Sequence, residues 1–534
     1  MPIIPVLYSN KFNELVLLKC LFLLVALVGC SPPGEPVKCS TKDSNCTVTN
    51  SYGAFPDRTV CRAGNVVYPI SEQESVSILS AATEVQRKIK VVTHFSHSIP
   101  KLVCPDGQDG LLISTKNLNR VVKINLTAMT MTVESGVTLR QLINEAAKAG
   151  LALPYAPYWW GLTIGGLLGT GAHGSSLWEK GSSVHDYVVE MRIVSPAKAE
   201  DGYAKVWVLN ESDKDLNAAK FSLGVLGVIS QVTLKLQSLF KRSITYVMKD
   251  DTDLGDKVVT FEETQESLRD TEGKCLNAKL VTSTLQSSAY GLTDNGVIFT
   301  GYPVIGFHHR LQSSGTCLDS HKDSLITACP WDPRIKGEFF HQTTFSIDLS
   351  VVKSFIQDVQ KLVSMDPKSL CGLELYNGIV MRYVKASTAY LGKQEDAIAF
   401  DITYYRSKDP MAPRLYQDVL EEIEQMALFK YNALPHWGKN RNLVFDGVMK
   451  RYKNGGEFLK VKNKYDPWGL FSSEWTDQVL GLRNGVTVLK EGCALEGVCV
   501  CSQDVHCAPR KGYLCKPGKI FLDARVCARV NTKN

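Results

Sequence analysis

The sequence predicts an α+β protein with two successive folded domains and a small disulfide-rich appendage. Residues 55–239 alternate strand-like apolar runs with amphipathic helical patterns, in the order β-α-β, meander, helix, glycine-rich stretch and strands. Residues 240–485 contain strands followed by crossing helices, which is typical of an antiparallel sheet backed by helices. Residues 486–534 carry six of the 16 cysteines, a density typical of a disulfide-stapled unit.

In the first domain, helix and strand patterns alternate clearly. AGNVVYPI (63–70) and IKVVTHF (89–95) are strand-like, and EQESVSILSAATEVQRK (72–88) between them is an amphipathic helix. A second helix is predicted for TLRQLINEAAKAG, with Thr138 as its N-cap and Gly150 as its stop signal. The segment that ends in VISQVTLKLQ (228–237) is predicted to be the closing strand of this domain.

The second domain has longer elements. FSIDLSVVKSFIQDVQKLV (345–363) is predicted to be a strand that leads into a helix, and GIVMRYVKAS (378–387) and AIAFDITYY (397–405) are two further strands. PRLYQDVLEEIEQMALFKY (413–431) is a long amphipathic helix. The chain of 534 residues is long enough for two or three domains. Its 60 basic and 54 acidic residues form no long run of one sign, so we expect no nucleic-acid partner.

Residues 1–31 are predicted to be a secretory signal peptide. The apolar run CLFLLVALV (20–28) is well short of the roughly 20 residues that span a bilayer, and small residues and two prolines follow it. A retained membrane anchor is the alternative. We therefore expect a secreted, extracellular protein, with the cell wall or the vacuole as alternative destinations, and no stable membrane span after signal removal.

Cysteine usage and glycosylation sequons agree with export. The tail cysteines favour disulfides over a zinc module, because CxC and the wide gaps fit metal-ligand spacing poorly. Acceptor sequons stand at Asn45, Asn125 and Asn210. His308, His309 and His321 surround a further cysteine, but their spacing matches no common metal site, and we expect a disulfide-pinned loop there and no metal.

The densest glycine cluster is LTIGGLLGTGAHGSS (162–176). Closely spaced glycines let a backbone approach a ligand and turn its N–H groups toward anionic oxygens. The cluster lacks the Gly-Lys-Ser/Thr ending of a Walker motif, and no apolar strand runs directly into it as in a Rossmann fingerprint. From spacing alone, a phosphate cradle and a buried glycine-rich turn without a ligand both remain open.

Taken together, these motifs resemble a known family. Residues 93–122 and 162–196, with SLGVLGVISQVTLKL (222–236), are similar to the PCMH-type FAD-binding domain of the vanillyl-alcohol-oxidase superfamily, which is two-lobed. ALPHWGKN (433–440) and KYDPWGLFSSEW (464–475) resemble the sugar-1,4-lactone oxidases. The signal peptide and the cysteine-rich tail are most similar to the plant L-gulono-1,4-lactone oxidase group. The resemblance implies FAD as cofactor, a substrate (cap) domain over the flavin, and a sugar lactone and O2 as small-molecule partners.

The resemblance also implies two loops that bind FAD. In the first flavin loop (residues 93–98), His97 stands where many members attach the flavin covalently, but His94 and Phe95 replace the usual glycines, so covalent and non-covalent roles both remain open. The second flavin loop (residues 163–175) is expected to hold the diphosphate through backbone N–H groups. The residues expected to contact FAD are His94, Ser96, His97, Ser98, Thr163, Gly165, Gly166, Thr170, Gly171, His173 and Gly174, with Gly227 and Ile229 at the adenine or ribose end.

The implied catalytic residues are Lys439, His436 and Arg382. Lys439 of the HWGK motif would place positive charge near flavin N1, and His436 would orient the substrate or assist proton removal. Arg382 matches the arginine of an acidic-x-Arg motif, but Val380 stands where the acid is expected.

Three functions therefore remain open. The first is an oxidase that converts an aldono-1,4-lactone, such as L-gulono-1,4-lactone, to ascorbate with O2 reduced to H2O2. The second is an oxidase of another sugar or alcohol. The third is a secreted flavoprotein or sugar-binding protein with a decayed active site, for which Val380 is the main argument.

Overall fold

The computed structural model describes residues 37–48, 60–93, 100–157, 160–245, 254, 292–294, 297–298, 303–313, 338–367, 369–370, 379–407, 409–414 and 416–530. The α-helices are α1 (Glu72–Glu84), α2 (Leu139–Lys148), α3 (Ile164–Thr170), α4 (Leu216–Ala219), α5 (Leu349–Ser364), α6 (Gln417–Gln425), α7 (Asn442–Phe445), α8 (Gly455–Tyr465) and α9 (Glu474–Val479). The strands are β1 (Val37–Thr41), β2 (Ser44–Val48), β3 (Cys61–Val67), β4 (Ile89–Val92), β5 (Leu111–Ser114), β6 (Val121–Asn125), β7 (Thr130–Glu134), β8 (Leu151–Ala152), β9 (Val188–Pro196), β10 (Ala204–Asn210), β11 (Val228–Lys235), β12 (Gln237–Ser238), β13 (Lys241–Ile244), β14 (Leu292–Asp294), β15 (Val297–Ile298), β16 (Val304–Phe307), β17 (Leu311–Ser313), β18 (Glu338–Asp348), β19 (Ile379–Val384), β20 (Ala397–Ser407), β21 (Leu434–Pro435), β22 (Tyr513–Pro517) and β23 (Arg525–Arg529). Short 3-10 turns occupy Pro100–Val103, Thr115–Asn117, Val184–Tyr187, Ala199–Asp201, Val448–Arg451, Asp504–His506 and Pro509–Lys511, and a π-helical turn, Met426–Lys430, follows α6. Among the residues described, no helix has the length and apolar character needed to cross a membrane.

The first domain has two lobes, each built on one sheet. The first-lobe sheet has the order β1-β2-β3-β5-β4, in which β3, β5 and β4 run parallel. The second-lobe sheet is antiparallel, with the order β10-β9-β11-β7-β6. Leu79 of α1 and Ile89 of β4 share a buried apolar cluster with Val194 and Val228 of the second lobe. The predicted α+β, two-lobed fold is therefore confirmed.

The helix signals read from the sequence coincide with the observed helix ends. The Thr138 hydroxyl accepts a hydrogen bond from the Gln141 N–H at 3.2 Å, which caps α2. Gly150 follows α2 with a φ of +73°, a conformation that glycine adopts without a steric penalty. Both predictions for this helix are confirmed.

The second domain is an antiparallel sheet, in the order β19-β20-β18-β21, with helices packed against it. Its core contains Phe345, Phe355 and Phe400, and the rings of Phe355 and Phe400 meet edge to face at 5.0 Å. α5 and α6 contribute apolar residues to the same core. The predicted sheet backed by helices is confirmed.

The appendage is held by three disulfides that use all six tail cysteines: Cys493–Cys499, Cys501–Cys515 and Cys507–Cys527. The appendage packs on α6, where the Glu422 carboxylate accepts backbone N–H bonds from Lys519, Ile520 and Phe521 at 2.6–2.8 Å. The disulfide prediction for the tail is confirmed, and because its six sulfur atoms are paired, the tail has no thiolate left for zinc.

Candidate functional site

Most of the second flavin loop forms a short helix, α3, which the sequence analysis did not predict. The Thr163 hydroxyl caps α3 by accepting from the Gly166 N–H, and Leu167 and Leu168 bury their side chains in the main core. The Gly165, Gly171 and Gly174 N–H groups donate to the carbonyls of Ser135, Leu167 and Ser182. In this conformation these three N–H groups are engaged in backbone hydrogen bonds, and their contact with a diphosphate stays a prediction.

The glycines serve close packing. A Cβ atom on Gly171, whose φ is +65°, would lie 2.1 Å from the Phe221 ring, and one on Gly174 would lie 2.7 Å from the Ala156 carbonyl oxygen. A Cβ atom on Gly166 would lie 3.3 Å from the Thr93 methyl group. Since Thr93 is the first residue of the first flavin loop, that loop starts directly beside α3.

Several predicted cofactor residues are placed differently. His94, Ser96, His97 and Ser98 lie outside the described residues, so covalent attachment stays a prediction. The Thr170 hydroxyl donates to the Gly166 carbonyl within α3. Gly227 and Ile229 lie at the start of β11, where a Cβ atom on Gly227 would be 2.3 Å from the Val194 carbonyl oxygen. Their role at the adenine or ribose end of FAD stays a prediction.

His173 presents a buried lone pair. Its Nδ1 lies 2.9 Å from the Gly174 carbonyl oxygen, and because a carbonyl only accepts, Nδ1 carries the proton and Nε2 is an acceptor. Nε2 is buried and has no hydrogen-bond partner among the described residues. Burial lowers the pKa of His173 to about 3, so the ring is neutral at physiological pH.

The second flavin loop is joined directly to the second domain. The Ser176 N–H donates to the Tyr383 carbonyl at 2.9 Å, and the Ser175 hydroxyl accepts from the Tyr383 N–H at 3.0 Å. Tyr383 belongs to β19, next to Arg382. The backbone that carries His173 is therefore bonded to the strand that carries Arg382.

Arg382 and Lys439 converge on one buried carboxylate, Asp401. Arg382 Nη1 and Lys439 Nζ each lie 2.9 Å from Asp401 Oδ2, and Gln342 Nε2 lies 2.5 Å from Asp401 Oδ1. Burial alone raises the pKa of Asp401, but the charges of Lys439 and Arg382 outweigh it and hold the pKa below its usual range. Two of the three predicted catalytic residues thus share a partner that sequence reasoning missed.

His436 lies next to His173, with ring centroids 5.6 Å apart. Its Nδ1 accepts from the Gly438 N–H at 3.1 Å, so the neutral ring carries its proton on Nε2. Burial holds the pKa of His436 well below its usual range. In this tautomer His436 is a hydrogen-bond donor, which favours the predicted substrate-orienting role over proton removal.

The HWGKN segment (residues 436–440) is fixed by buried hydrogen bonds from Asn440 and Trp437. Asn440 donates to the Thr344 and His436 carbonyls at 2.7 and 2.6 Å. Trp437 is only 1 % exposed, stacks on Phe445, and donates to the Tyr452 hydroxyl at 3.0 Å. This packing sets where Lys439 and His436 can point.

A small cavity lies between the second flavin loop and the HWGKN segment. His173, His436 and Trp437 line it, together with Lys393, which sequence reasoning missed. Lys393 Nζ donates to the Pro435 carbonyl at 3.0 Å, and burial lowers the pKa of this lysine to about 7. No local pattern in the sequence marks Lys393, because its place in the site depends on tertiary packing.

The described residues fit a flavin on two grounds. The His173 Nε2 lone pair is buried and can accept from a donor such as a ribityl hydroxyl. Lys439, with 29 % of its side chain exposed, supplies positive charge where the second flavin loop meets the second domain.

His308, for which the sequence predicted no metal site, packs against an aromatic ring. His308 is buried and stacks on Phe240 at 4.8 Å, and burial lowers its pKa to about 4. The further cysteine of this segment, Cys317, and His321 lie outside the described residues, so the expected disulfide-pinned loop stays a prediction.

Comparison with known families covers most of this architecture. Residues 63–199 match the FAD binding domain model, and residues 336–479 match the D-arabinono-1,4-lactone oxidase model. Residues 490–529 match the model of the L-gulonolactone oxidase 2-like C-terminal domain. The two functional domains and the appendage thus each have a family counterpart.

Whole-chain relatives are similar over nearly their full length. "Probable L-gulonolactone oxidase 6" of Arabidopsis thaliana is 61 % identical, covering 97 % of this chain and 96 % of the relative. "L-gulonolactone oxidase 2" of the same plant is 58 % identical, covering 98 % of each. A solved "Solvent-stable cholesterol oxidase" shares the fold with a TM-score of 0.56 at 15 % identity, over 84 % of this chain and 100 % of that one. The chain is therefore a member of the L-gulonolactone oxidase family of FAD-dependent oxidoreductases.

Proposed function

We propose that this protein is a secreted oxidase that converts an aldono-1,4-lactone, with L-gulono-1,4-lactone as the expected substrate, to ascorbate. The C2 hydroxyl of the lactone becomes a carbonyl, two electrons and two protons leave the substrate, and O2 takes them up as H2O2. Bound FAD would supply the two-electron acceptor that this oxidation needs. The observation that carries the proposal is the convergence of Arg382, Lys439 and His436 beside the second flavin loop.

Each side chain has a role that its geometry supports. The guanidinium of Arg382 and the ammonium of Lys439 can bind the oxygen atoms of a lactone and favour the build-up of negative charge during oxidation. The Nε2–H of His436 can donate to a substrate oxygen. Trp437 is closely packed beside these groups, and the rings of His173 and His436 are buried and neutral.

Export is supported by the surface chemistry of the mature chain. The Asn45 and Asn210 side chains are exposed, and Asn125 is half-buried, so an oligosaccharide can reach all three sequons. Five disulfides among the described residues agree with an oxidising compartment. Expression in a secreting plant cell line tests this: cleaved, glycosidase-sensitive protein in the medium is expected, and protein retained inside the cell in unmodified form would contradict it.

The activity itself is tested on purified, flavin-loaded protein. We expect flavin absorption bands near roughly 370 and 450 nm, and one H2O2 released per L-gulono-1,4-lactone consumed. L-galactono-1,4-lactone and simple sugar alcohols are the comparison substrates. Faster turnover of a non-lactone alcohol would favour the second function, and a flavin that no lactone or alcohol reduces would favour the decayed site.

The case for a decayed site is weakened by Asp401. That case depended on the missing acid at position 380, and Asp401 places a carboxylate against the same arginine. We therefore retain the lactone oxidase as the proposed function.

A further inference from the structure

Asp401 occupies a defined position opposite the missing acid. In the antiparallel pair of β19 and β20, Val380 lies directly opposite Asp401, and Arg382 lies opposite Ala399. Residues two apart on a strand share a face, and directly opposite residues do so too, with Cβ atoms about 5 Å apart. Val380, Arg382 and Asp401 therefore share one face of the sheet.

The Asp401 carboxylate is held on both oxygen atoms. Oδ2 receives Arg382 Nη1 and Lys439 Nζ, each at 2.9 Å, so the two cationic nitrogens are at most about 5.8 Å apart, the sum of the two distances. Oδ1 receives the Gln342 amide at 2.5 Å. The Asp401 side chain is only 4 % exposed. A carboxylate so buried and so fully bonded fixes the directions of both cations.

The charge balance at this point depends on Asp401. Arg382 and Lys439 bring two positive charges, and Asp401 reduces their sum to one. Without the carboxylate, two cations would face each other in a partly desolvated site, and Lys439, unlike arginine, can relieve the repulsion by losing its proton.

We propose that Asp401 is the positioning residue of the lactone site, supplying from β20 the carboxylate that Val380 does not supply from β19. Asp401 aligns Arg382 and Lys439 toward the substrate and keeps Lys439 protonated. The substrate part of this inference rests on the proposed function, but the effect on Lys439 does not. Among the described residues, the charged and titratable groups that interact with Lys439 are Asp401, Arg382, His436 and His173, and Lys393 lines the cavity beside both histidines.

The first test measures the protonation of Lys439 without turnover. Trace acetylation of the flavin-loaded protein across pH, read by mass spectrometry of the peptide that contains Lys439, reports the fraction of unprotonated amine. We expect Lys439 of the Asp401→Asn variant to be acetylated at least tenfold faster than Lys439 of the wild type. This holds at pH values below the pKa of Lys439 in both proteins. An unchanged rate would overturn the proposal, whatever the protein's substrate is.

The second test measures catalysis. With lactone as substrate, Asp401→Asn is expected to lower kcat/KM at least tenfold and to move the alkaline limb of the kcat profile to lower pH, because Lys439 then loses its proton more easily. A kcat/KM within twofold of the wild type and an unmoved alkaline limb would overturn the proposal. If the wild type oxidises no lactone, the proposed function fails and the acetylation result still decides the role of Asp401.

A compensating variant and a control complete the design. Val380→Glu combined with Asp401→Asn returns the carboxylate to β19, and we expect it to restore slow acetylation of Lys439 and at least part of kcat/KM. Because this double variant keeps the charge balance, it decides the question if Asp401→Asn alone does not fold; fast acetylation in a folded double variant would count against the proposal. Asp358→Asn, which removes the α5 carboxylate that pairs with Lys430, is the matched control and should leave the acetylation rate of Lys439 unchanged.

Discussion

The buried ion pair between Glu424 and Arg441 is expected to stabilise the HWGKN segment. Arg441 directly follows this segment, and its Nη2 bonds Glu424 Oε2, while Oε1 of the same carboxylate accepts from the Thr343 hydroxyl at 2.5 Å. The side chains of Arg441 and Glu424 are 4 % and 1 % exposed. The pair therefore lies in a setting where removing one charge leaves the other buried and uncompensated.

Glu424→Gln removes the charge and keeps the shape. Breaking a buried pair in this way costs about 3–5 kcal/mol, and we expect the free energy of unfolding to fall by that amount. Urea titration followed by release of flavin fluorescence measures the loss at the site itself. Glu457→Gln, which breaks an exposed pair with Lys460, is the control and should leave the free energy of unfolding close to that of the wild type. A loss below about 1 kcal/mol for Glu424→Gln would refute this account of the segment.

Three further variants test the packing around the site and the appendage. Gly171→Ala should cost about 2–4 kcal/mol and weaken flavin retention, because its Cβ would meet the Phe221 ring; Gly202→Ala, with a similar φ and open space, should cost about 1 kcal/mol in the same urea titration. Trp437→Ala should cost about 3–5 kcal/mol, and equal stability to the wild type would contradict its core role. Burial raises the pKa of Glu421 from 4.5 to about 7. The protonated Glu421 carboxyl therefore contributes fully to the free energy of unfolding below pH 4.5, and this contribution is lost as the pH rises through 7. Between pH 4.5 and 8 the free energy of unfolding of the wild type should therefore fall by up to about 3 kcal/mol more than that of Glu421→Gln. Parallel curves of unfolding free energy against pH for the two proteins would contradict this.

Features with local physical causes could be predicted from the sequence. The Thr138 cap and the Gly150 stop depend on neighbouring residues only. The high density of cysteines in the tail predicts its disulfides. The glycine cluster was interpreted as a phosphate cradle or a buried turn, and no helix was predicted there, yet Thr163 caps a short helix whose leucines pack into the core. Tertiary burial here outweighed local propensity.

Asp401 could not be placed from the sequence because its role depends on strand register. The segment AIAFDITYY shows one acid in an otherwise apolar strand, and a buried acid is rare unless it is paired, so a signal was present. Its partners, Arg382 and Lys439, are 19 and 38 residues away along the chain. Only the pairing of β19 with β20 shows that Asp401 lies opposite Val380.

The most direct test of the central claim is the anaerobic reduction of the bound flavin by L-gulono-1,4-lactone, because it isolates the step before O2 reacts. The wild type should lose its absorption near roughly 450 nm on mixing, and Lys439→Ala should lose it at least about a hundredfold more slowly, since removal of one stabilising charge typically costs that much in rate. A wild-type flavin that stays oxidised in the presence of the lactone, or a Lys439→Ala variant that is reduced as fast as the wild type, would contradict the account.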